Sequence, residues 1–261
     1  MKNIYKKSPQ KITYFCLNLF RMQDAIVIIP TYNEIENIEA IIDAVFSLYN
    51  EVHILIVDDN SPDQTAQKVE AYQSKYSNRL FLLKRTGKQG LGTAYVEGFK
   101  WCLKRDYSFI FEMDADFSHA PKDLIRLYEV CKNKNYDLAI GSRYVKGVNV
   151  VNWPLSRVLL SYAASFYVRL ITGMKILDPT AGFVCYRRAV LEAIDFDEIK
   201  FIGYAFQIEM KYKTHKKKFS IKEIPIIFTD RVHGVSKLNK GIIKEAIFGV
   251  IQMRLKSILG N

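Results

Sequence analysis

Cysteine and histidine are both scarce in this sequence, and neither residue is spaced as a metal site would require. The four cysteines include no Cys-x-x-Cys pair, and the four histidines show no zinc-type spacing. Three of the cysteines lie in apolar stretches, which favours buried free thiols in a reducing compartment over a disulfide framework. The four cysteines are Cys16, Cys102, Cys131 and Cys185.

The chain also lacks a long, uncharged hydrophobic run. A helix that spans a bilayer needs about 18–20 apolar residues, and the longest such run, at 159–168, is about half of that length. Residues 1–23 mix lysines with apolar side chains and contain no clear small-residue cleavage site. They therefore predict a loose amphipathic arm rather than a signal peptide.

Two common nucleotide-binding fingerprints are missing. The sequence contains no Walker-type Gly-Lys-Ser/Thr. The glycine-rich run at 87–92 does not have the Gly-x-Gly-x-x-Gly order, and it follows the third predicted strand rather than the first. This run is interpreted either as a phosphate- or sugar-facing loop at the start of a helix or as a plain turn.

Acidic residues are fewer than basic ones. The 27 Asp and Glu stand against 38 Lys and Arg, which gives a formal net charge of +11. Such an excess indicates an anionic partner, whether nucleic acid, acidic lipid headgroups or a phosphorylated substrate. No RNA- or DNA-binding signature accompanies the charge, so nucleic acid is not expected as a partner.

Strand-like and helix-like segments alternate along the first half of the chain. Continuous apolar runs at 25–29, 53–57, 80–83 and 107–111 predict buried strands, and a helical pattern follows each of them. This alternation predicts βαβ units, and hence an α/β fold with a mostly parallel central sheet. Helices are expected on both faces of that sheet.

The second half of the chain changes character. Residues 153–171 are apolar and bear arginines, and Pro225 marks the predicted strand at 221–228 as an edge strand or a bulge. The chain is divided into an N-terminal arm (1–23), a main domain (24–232) and a C-terminal helical segment (233–261).

The C-terminal segment predicts an amphipathic helix that begins at about residue 239. Lysines and arginines stand beside its apolar positions, which indicates an element that lies in the headgroup plane of a membrane. The alternative is a helix that packs on the sheet. The apolar positions are Ile243, Ile247, Val250, Ile251 and Leu255.

Polar clusters at 30–34, 58–63 and 114–119 follow three of the predicted strands. In a parallel sheet these positions share the carboxyl edge, where ligands bind. Asp114 and Asp116 are costly at the end of a buried strand unless a cation joins them. A divalent metal would do so while leaving positions for substrate phosphates.

The acidic pair also has a plainer interpretation, as a cap of the helix that Pro121 opens. Ser118 and His119 follow the pair closely enough to supply a third ligand or to orient the ligands. For His119 the sequence favours a place on a surface loop.

Two further groups on the same edge have candidate roles. Tyr32 could stack on a nucleobase while Glu34 and Asp59 accept hydrogen bonds from base and ribose. The alternative makes Tyr32 an ordinary core residue and Glu34 a first-turn acid that matches the helix dipole. Arg143 lies just past a strand end, where its planar fork could grip a phosphate.

Three motifs resemble those of inverting glycosyltransferases of family 2, which have the Rossmann-like GT-A fold. Four later motifs narrow the resemblance to the polyprenol-phosphate (dolichol-phosphate) mannosyltransferases. The three are Ile-Ile-Pro-Thr-Tyr-Asn-Glu at 28–34, Val-Asp-Asp-Asn-Ser-Pro-Asp at 57–63 and Met-Asp-Ala-Asp-Phe-Ser-His at 113–119. The four are Gly-Ser-Arg-Tyr at 141–144, Asn-Trp-Pro at 152–154, Gly-Tyr-Ala-Phe-Gln-Ile-Glu-Met at 203–210 and Asp-Arg-Val-His-Gly-Val-Ser-Lys at 230–237.

The resemblance implies a role for each matching residue. The guanosine side of a GDP-mannose site would comprise Pro30, Tyr32, Glu34, Val57 and Asp59. The donor-diphosphate segment would comprise Met113, Asp114, Ala115 and Asp116, with Mg²⁺ or Mn²⁺ on the two aspartates and with Arg231 and Lys237 on the phosphates. The acceptor phosphate would contact Arg143, Arg157 and Ser161, and the catalytic residues would be Asp114, Asp116 and Arg143.

The implied reaction is inverting transfer of mannose from GDP-mannose to a polyprenyl (dolichyl-type) phosphate, giving a β-linked product and GDP. A phosphate acceptor is already anionic, so positioning and charge stabilisation suffice without a strong base. The rival interpretation is a polyprenyl-phosphate glucosyl- or aminosugar-transferase that uses a UDP-sugar. The protein is expected to be peripheral, on the cytoplasmic face of a membrane, with a membrane-anchoring subunit left open.

Overall fold

The computed structural model describes residues 22–230 and 240–259, and its centre is a seven-stranded sheet. The strand order is β3-β2-β1-β4-β7-β5-β8, and β6 and β9 form a separate two-stranded sheet. The strands are β1 (Ala25–Thr31), β2 (His53–Asp58), β3 (Leu80–Lys84), β4 (Phe109–Glu112), β5 (Leu138–Ser142), β6 (Val150–Val151), β7 (Val184–Arg187), β8 (Ile221–Pro225) and β9 (Phe228–Thr229).

Eight α-helices are assigned within the described residues, and a short 3₁₀ turn at Pro121–Asp123 precedes the fourth. They are α1 (Ile38–Leu48), α2 (Thr65–Gln73), α3 (Leu91–Leu103), α4 (Leu124–Lys132), α5 (Leu155–Thr172), α6 (Arg188–Ala193), α7 (Tyr204–Lys216) and α8 (Lys240–Leu259).

The predicted mostly parallel sheet is confirmed, with one exception. β7 runs antiparallel to both of its neighbours, β4 and β5, while the other pairs in the main sheet are parallel. The apolar Val184-Cys185-Tyr186 sequence indicates a buried strand but carries no signal of its direction. β8, which ends at Pro225, lies at the edge of the sheet as predicted.

Cores lie on both faces of the sheet, as the alternation of strand side chains requires. Ile26 and Ile28 of β1 face a core that includes residues of α3, α6, α7 and α8. Val27 and Ile29 face the opposite core, which includes residues of α1 and α4. The helices therefore cover both sides of β1, and ligands can reach it only at the ends of the strands.

The amphipathic character predicted for the C-terminal segment is not confirmed. Val250 and Met253 of α8 are buried in the core that α7 also lines, whereas Ile247, Ile251 and Leu255 remain exposed. The predicted apolar positions therefore divide between a packed side and a solvent-facing side.

Two predictions from composition can be compared with the described residues. Cys102, Cys131 and Cys185 are buried free thiols, as expected, and Cys16 lies outside the described residues. Within the described residues, no helix combines the length and apolar content that crossing a membrane requires.

Candidate active site

Buried side chains join the two loops at the carboxyl ends of β1 and β2. The Asp58 carboxylate accepts hydrogen bonds from the Thr31 hydroxyl at 2.8 Å and from the Ser61 hydroxyl at 2.6 Å. The Ser61 oxygen in turn accepts a bond from the Asn33 backbone N–H at 3.1 Å. These bonds fix the loop that carries Tyr32 against the end of β2.

Tyr32, the predicted base-stacking residue, is half-buried at this edge of the sheet. The Lys88 ammonium lies over its ring, 4.5 Å from the centroid. Glu34 lies on the same loop and accepts a hydrogen bond from the Asn37 side-chain amide at 3.0 Å. Because Tyr32 is only half-buried, it is not an ordinary core residue, and its stacking on a nucleobase stays a prediction.

A buried arginine that sequence reasoning missed holds Asp59. Arg85 Nη1 lies 2.5 Å from Asp59 Oδ1, and Arg85 Nε lies 3.0 Å from a carboxylate oxygen of Glu97. Arg85 Nη2 also donates to the side-chain oxygen of Gln89 at 3.0 Å. Burial raises the pKa of the Asp59 carboxyl, although Arg85 opposes that shift. Arg85 thus fixes Asp59 and joins it to the glycine-rich loop at 87–92.

Three residues assigned to the donor site have buried side chains. Val57, Met113 and Ala115 all belong to the cores of the sheet. A donor can therefore reach them only through backbone atoms, and their place in the donor site stays a prediction. Pro30 pairs in register with Val57 and is half-buried near the end of β1.

Asp114 and Asp116 lie just after β4, on the same edge. The Asp114 side chain is 37% exposed, whereas Asp116 is 8% exposed. Asp116 Oδ1 accepts a hydrogen bond from the Ser118 backbone N–H at 3.0 Å, and Phe117 between them has a φ of 59°. The helical turn that begins at Pro121 has no side-chain cap, so the capping interpretation of the acidic pair is wrong.

The prediction that His119 lies on a surface loop is wrong. The residue is 3% exposed, and its ring stacks on Phe183 with centroids 4.9 Å apart. Its Nδ1 accepts a hydrogen bond from the Asp114 backbone N–H at 3.1 Å. Burial lowers the pKa of His119 to about 4, against the opposing influence of Asp116. The neutral ring therefore holds the loop at 113–119, which we call the acidic loop, from its buried side. The Nδ1 lone pair is already used in the bond to Asp114.

The acidic pair fits a divalent metal that is shared with a substrate. Among the residues that the structure describes, no group of three or more His, Cys, Asp or Glu side chains could hold an ion. Mg²⁺ is commonly bound by one or two carboxylates together with substrate phosphates. Asp114 and Asp116 supply such a set, and the Asp114 side chain is partly exposed.

Arg143, just past the end of β5, belongs to a buried ion pair. Its Nε and Nη2 donate to the two oxygens of Asp178 at 2.8 and 2.6 Å, and Nη2 also donates to the Thr180 hydroxyl at 2.7 Å. Burial alone would raise the pKa of the Asp178 carboxyl, but Arg143 holds it below its usual value. The pair fixes the plane of the guanidinium group.

Arg143 and Arg157 meet at one tryptophan. Their guanidinium carbons lie 5.5 and 4.0 Å from the ring centroid of Trp153. Arg157 is oriented by Asp230, which accepts a bond from its Nη1 at 2.8 Å. The Trp153 indole N–H is buried and has no hydrogen-bond partner within residues 22–230 and 240–259. We call these three residues, Arg143, Trp153 and Arg157, the arginine–tryptophan cluster.

The remaining predicted phosphate contacts are only partly described. Ser161 lies one helical turn beyond Arg157 on α5, and its oxygen accepts a hydrogen bond from the Tyr144 hydroxyl at 2.6 Å. Ser161 is therefore adjacent to the arginine–tryptophan cluster, and its contact with the acceptor phosphate stays a prediction. Arg231 and Lys237 lie outside the described residues.

The acidic loop, the two joined loops and the arginine–tryptophan cluster all lie at the edge of the main sheet where its parallel strands end. Residues 26–195 match the family model described as "Glycosyl transferase family 2". The chain therefore belongs to this family.

Two curated relatives resemble nearly the whole chain. The polyprenol monophosphomannose synthase of Mycolicibacterium smegmatis is 46% identical over 237 residues, which cover 91% of this chain and 89% of that protein. The undecaprenyl-phosphate mannosyltransferase of Micrococcus luteus is 43% identical over 230 residues, which cover 88% and 93%.

A solved structure supports the fold. Glucosyl-3-phosphoglycerate synthase from Mycobacterium tuberculosis, in complex with Mn²⁺, uridine-diphosphate and glucosyl-3-phosphoglycerate, matches with a TM-score of 0.65. The alignment covers 88% of this chain and 79% of that one at 18% identity, so the likeness concerns the GT-A-type fold alone.

Proposed function

We propose that this protein transfers mannose from GDP-mannose to the phosphate of a polyprenyl (dolichyl-type) phosphate, with inversion at the anomeric carbon. The observation that carries the proposal is the arginine–tryptophan cluster, which stands on the same sheet edge as the acidic loop. The names of the two curated relatives support mannose as the transferred sugar and a polyprenyl phosphate as the acceptor.

The arginine–tryptophan cluster suits a phosphate monoester. Two guanidinium groups flank Trp153, and its indole N–H lacks an acceptor in the described part of the chain. Buried donors are almost always paired, so a ligand oxygen is the natural partner for this group. A phosphate oxygen would satisfy the N–H while its charge faces the two arginines.

The donor side follows from the other two groups of residues. The nucleobase would stack beside Tyr32, with Glu34 and Asp59 as acceptors of base and ribose hydrogen bonds. Asp114 and Asp116 would hold a divalent cation, which supplies charge neutralisation for the departing diphosphate. Arg143 would orient the attacking phosphate oxygen, whose negative charge removes the need for a strong base.

The acceptor's polyprenyl tail requires access to a lipid surface. Exposed apolar side chains run along one side of α5, starting next to the arginine–tryptophan cluster. A tail could therefore lie along α5 in the bilayer while its phosphate reaches Arg157. We propose that this apolar row, together with the net charge of +11, holds the protein at an anionic membrane surface. The row comprises Leu155, Leu159, Tyr162, Phe166 and Leu170.

A donor–acceptor panel tests the proposed function. Purified protein is given undecaprenyl or dolichyl phosphate with GDP-mannose, GDP-glucose, UDP-glucose and UDP-N-acetylglucosamine, and lipid-linked sugar is measured. We expect product with GDP-mannose and release of GDP. Product with a UDP-sugar alone would overturn the proposed donor and favour the glucosyl- or aminosugar-transferase. Absence of lipid-linked sugar with every donor would overturn the proposed acceptor.

The apolar row on α5 gives the second test. Leu159 and Phe166 are 60% and 55% exposed and lie seven residues apart on one side of the helix. Changing both to Asp is expected to weaken binding to anionic vesicles roughly tenfold or more, because two apolar side chains lose their burial in lipid. Activity on a long-chain acceptor should fall, while activity on a short, soluble prenyl phosphate should change little.

Leu48→Asp is the matched control for this test, because Leu48 is an exposed leucine on α1. It should bind vesicles as the unmodified protein does. Unchanged vesicle binding by the α5 variant, or equal losses on short and long acceptors, would contradict the membrane model.

A further inference from the structure

A glutamine on α7 is held between two buried charged residues directly behind the acidic loop. Gln207 Nε2 donates to Glu112 Oε2 at 2.6 Å, and Gln207 Oε1 accepts a hydrogen bond from Lys211 Nζ at 2.9 Å. Gln207, Glu112 and Lys211 are 2%, 0% and 0% exposed. Because an ammonium can only donate and a carboxylate accepts, these contacts leave a single orientation for the amide.

This orientation leaves one amide hydrogen of Gln207 without an assigned acceptor. A side-chain amide nitrogen carries two hydrogens, and Glu112 takes one of them. Among the side chains that the structure describes, no acceptor for the second hydrogen is found. A buried N–H that the protein fixes but does not satisfy is the type of group that a substrate hydroxyl completes.

The space between Gly182 and the Gln207 amide has room for one methyl group. A Cβ placed on Gly182 would meet the Gln207 Nε2 atom at 3.8 Å and the His119 Cε1 atom at 3.7 Å, both ordinary contacts. Gly182 is partly exposed and its φ is not in the left-handed region, so alanine is sterically permitted there. We call this space the Gly182 window.

The Gly182 window stands between the elements assigned to the donor and to the acceptor. On one side is His119, which shapes the loop of Asp114 and Asp116. On the other is the turn that carries Asp178, the partner of Arg143. The same turn is tied to α7, because Lys211 Nζ donates to the Ala181 carbonyl at 2.6 Å. The transferred sugar has to lie between the diphosphate and the attacking phosphate, and the window occupies such a position.

We propose that Gln207 is a sugar-binding residue whose second amide N–H donates a hydrogen bond to a hydroxyl of the transferred hexose over the Gly182 window. The proposal rests on the proposed function, since it takes the hexose of a nucleoside diphosphate donor as its ligand. It adds a specificity role for α7, through a hydroxyl that the bound hexose presents to Gln207.

The first test fills the window. Gly182→Ala adds one methyl group that the protein accommodates but that occupies space for the sugar. We expect kcat/KM with GDP-mannose to fall roughly tenfold or more, since a displaced sugar loses its alignment. GDP binding, which does not need the window, should stay within about twofold, and thermal unfolding should be unchanged. Unaltered kcat/KM, or a parallel loss of GDP binding, would overturn the proposal.

The second test identifies the hydroxyl. Gln207→Met keeps the length of the side chain, and Lys211 keeps its bonds to the Ala181 and residue-207 carbonyls. GDP-mannose is compared with its 2-, 3-, 4- and 6-deoxy analogues. The unmodified enzyme should discriminate against one analogue, and Gln207→Met should reduce that preference roughly tenfold or more. A merely structural role would slow all donors equally and would overturn the proposal.

Gln73→Met is the matched control, because the Gln73 amide donates to the Leu80 carbonyl away from this edge. It should preserve every donor preference.

The proposed function and the proposed sugar contact can fail independently of each other. If the proposed donor is wrong, the unmodified protein will be inactive with GDP-mannose. A wrong sugar contact appears only in the Gly182 and Gln207 variants, measured with whichever donor the panel identifies.

Discussion

Asp116→Asn is expected to lower mannosyl transfer by a factor of about 10³ or more while the fold stays intact. Asparagine retains an oxygen for the bond that Asp116 Oδ1 accepts from the Ser118 backbone N–H, so the acidic loop keeps its shape. The carboxylate charge is lost, and with it one ligand of the metal that would neutralise the diphosphate. Turnover at saturating donor and acceptor, with GDP binding at varied Mg²⁺ or Mn²⁺, measures the effect.

Asp106→Asn is the control, because Asp106 is an exposed aspartate outside the active edge. Its variant should retain full activity and the same response to chelator as the unmodified protein. The metal model would have to be abandoned if Asp116→Asn kept near-normal turnover, or if chelator left the unmodified enzyme fully active.

The parallel part of the sheet could be predicted from sequence because β1, β2 and β4 are apolar runs followed by polar clusters. The order of the strands could not. Val184–Arg187 lies between β4 and β5 and runs against both, and its partners are separated from it by more than forty residues along the chain. Apolar content shows that a strand is buried on both faces, whereas pairing and direction depend on long-range packing.

The position of the candidate site at the carboxyl edge of the sheet could be predicted from the sequence, but the separate contacts of its residues could not. Three aspartates at 58, 59 and 63 are equivalent in the sequence, yet Asp58 accepts bonds within its own loop and Asp59 contacts Arg85, 26 residues away. Arg85 directly follows a strand on the active edge, the same signal that singled out Arg143. That signal could have found it.

The burial of His119, in contrast, could not be predicted from the sequence. A histidine after an acidic pair suggests a ligand or a loop residue, and nothing local indicates burial. Its stacking partner, Phe183, lies beyond α5 in the chain, in the segment that leads into β7. The stacking of His119 on Phe183 depends on the pairing of β7 with β4, which the sequence alone does not reveal.

Arg143→Lys is expected to reduce kcat/KM for the lipid phosphate by about 10²-fold. Lysine preserves the charge but has a single nitrogen in place of the planar fork, so it cannot reproduce the two parallel bonds that Arg143 Nε and Nη2 make to the Asp178 oxygens. The ammonium would also lose the fixed plane that faces Trp153, so the phosphate would be held less precisely. Steady-state kinetics at varied acceptor concentration, with GDP binding as the donor-side control, checks this result.

The effects of Arg143 on stability and on catalysis have to be measured separately, because its ion-pair partner, Asp178, is fully buried. Removing Arg143 alone should cost about 3–5 kcal/mol in the free energy of unfolding, since it leaves a buried charge unpaired. The double variant Arg143→Gln with Asp178→Asn replaces the ion pair by two neutral amides and should recover most of that stability in urea unfolding. Its activity should remain about 10²-fold low, because the cation at position 143 no longer meets the acceptor phosphate. Recovery of activity along with stability would mean that Arg143 supports the fold and does not act on the substrate.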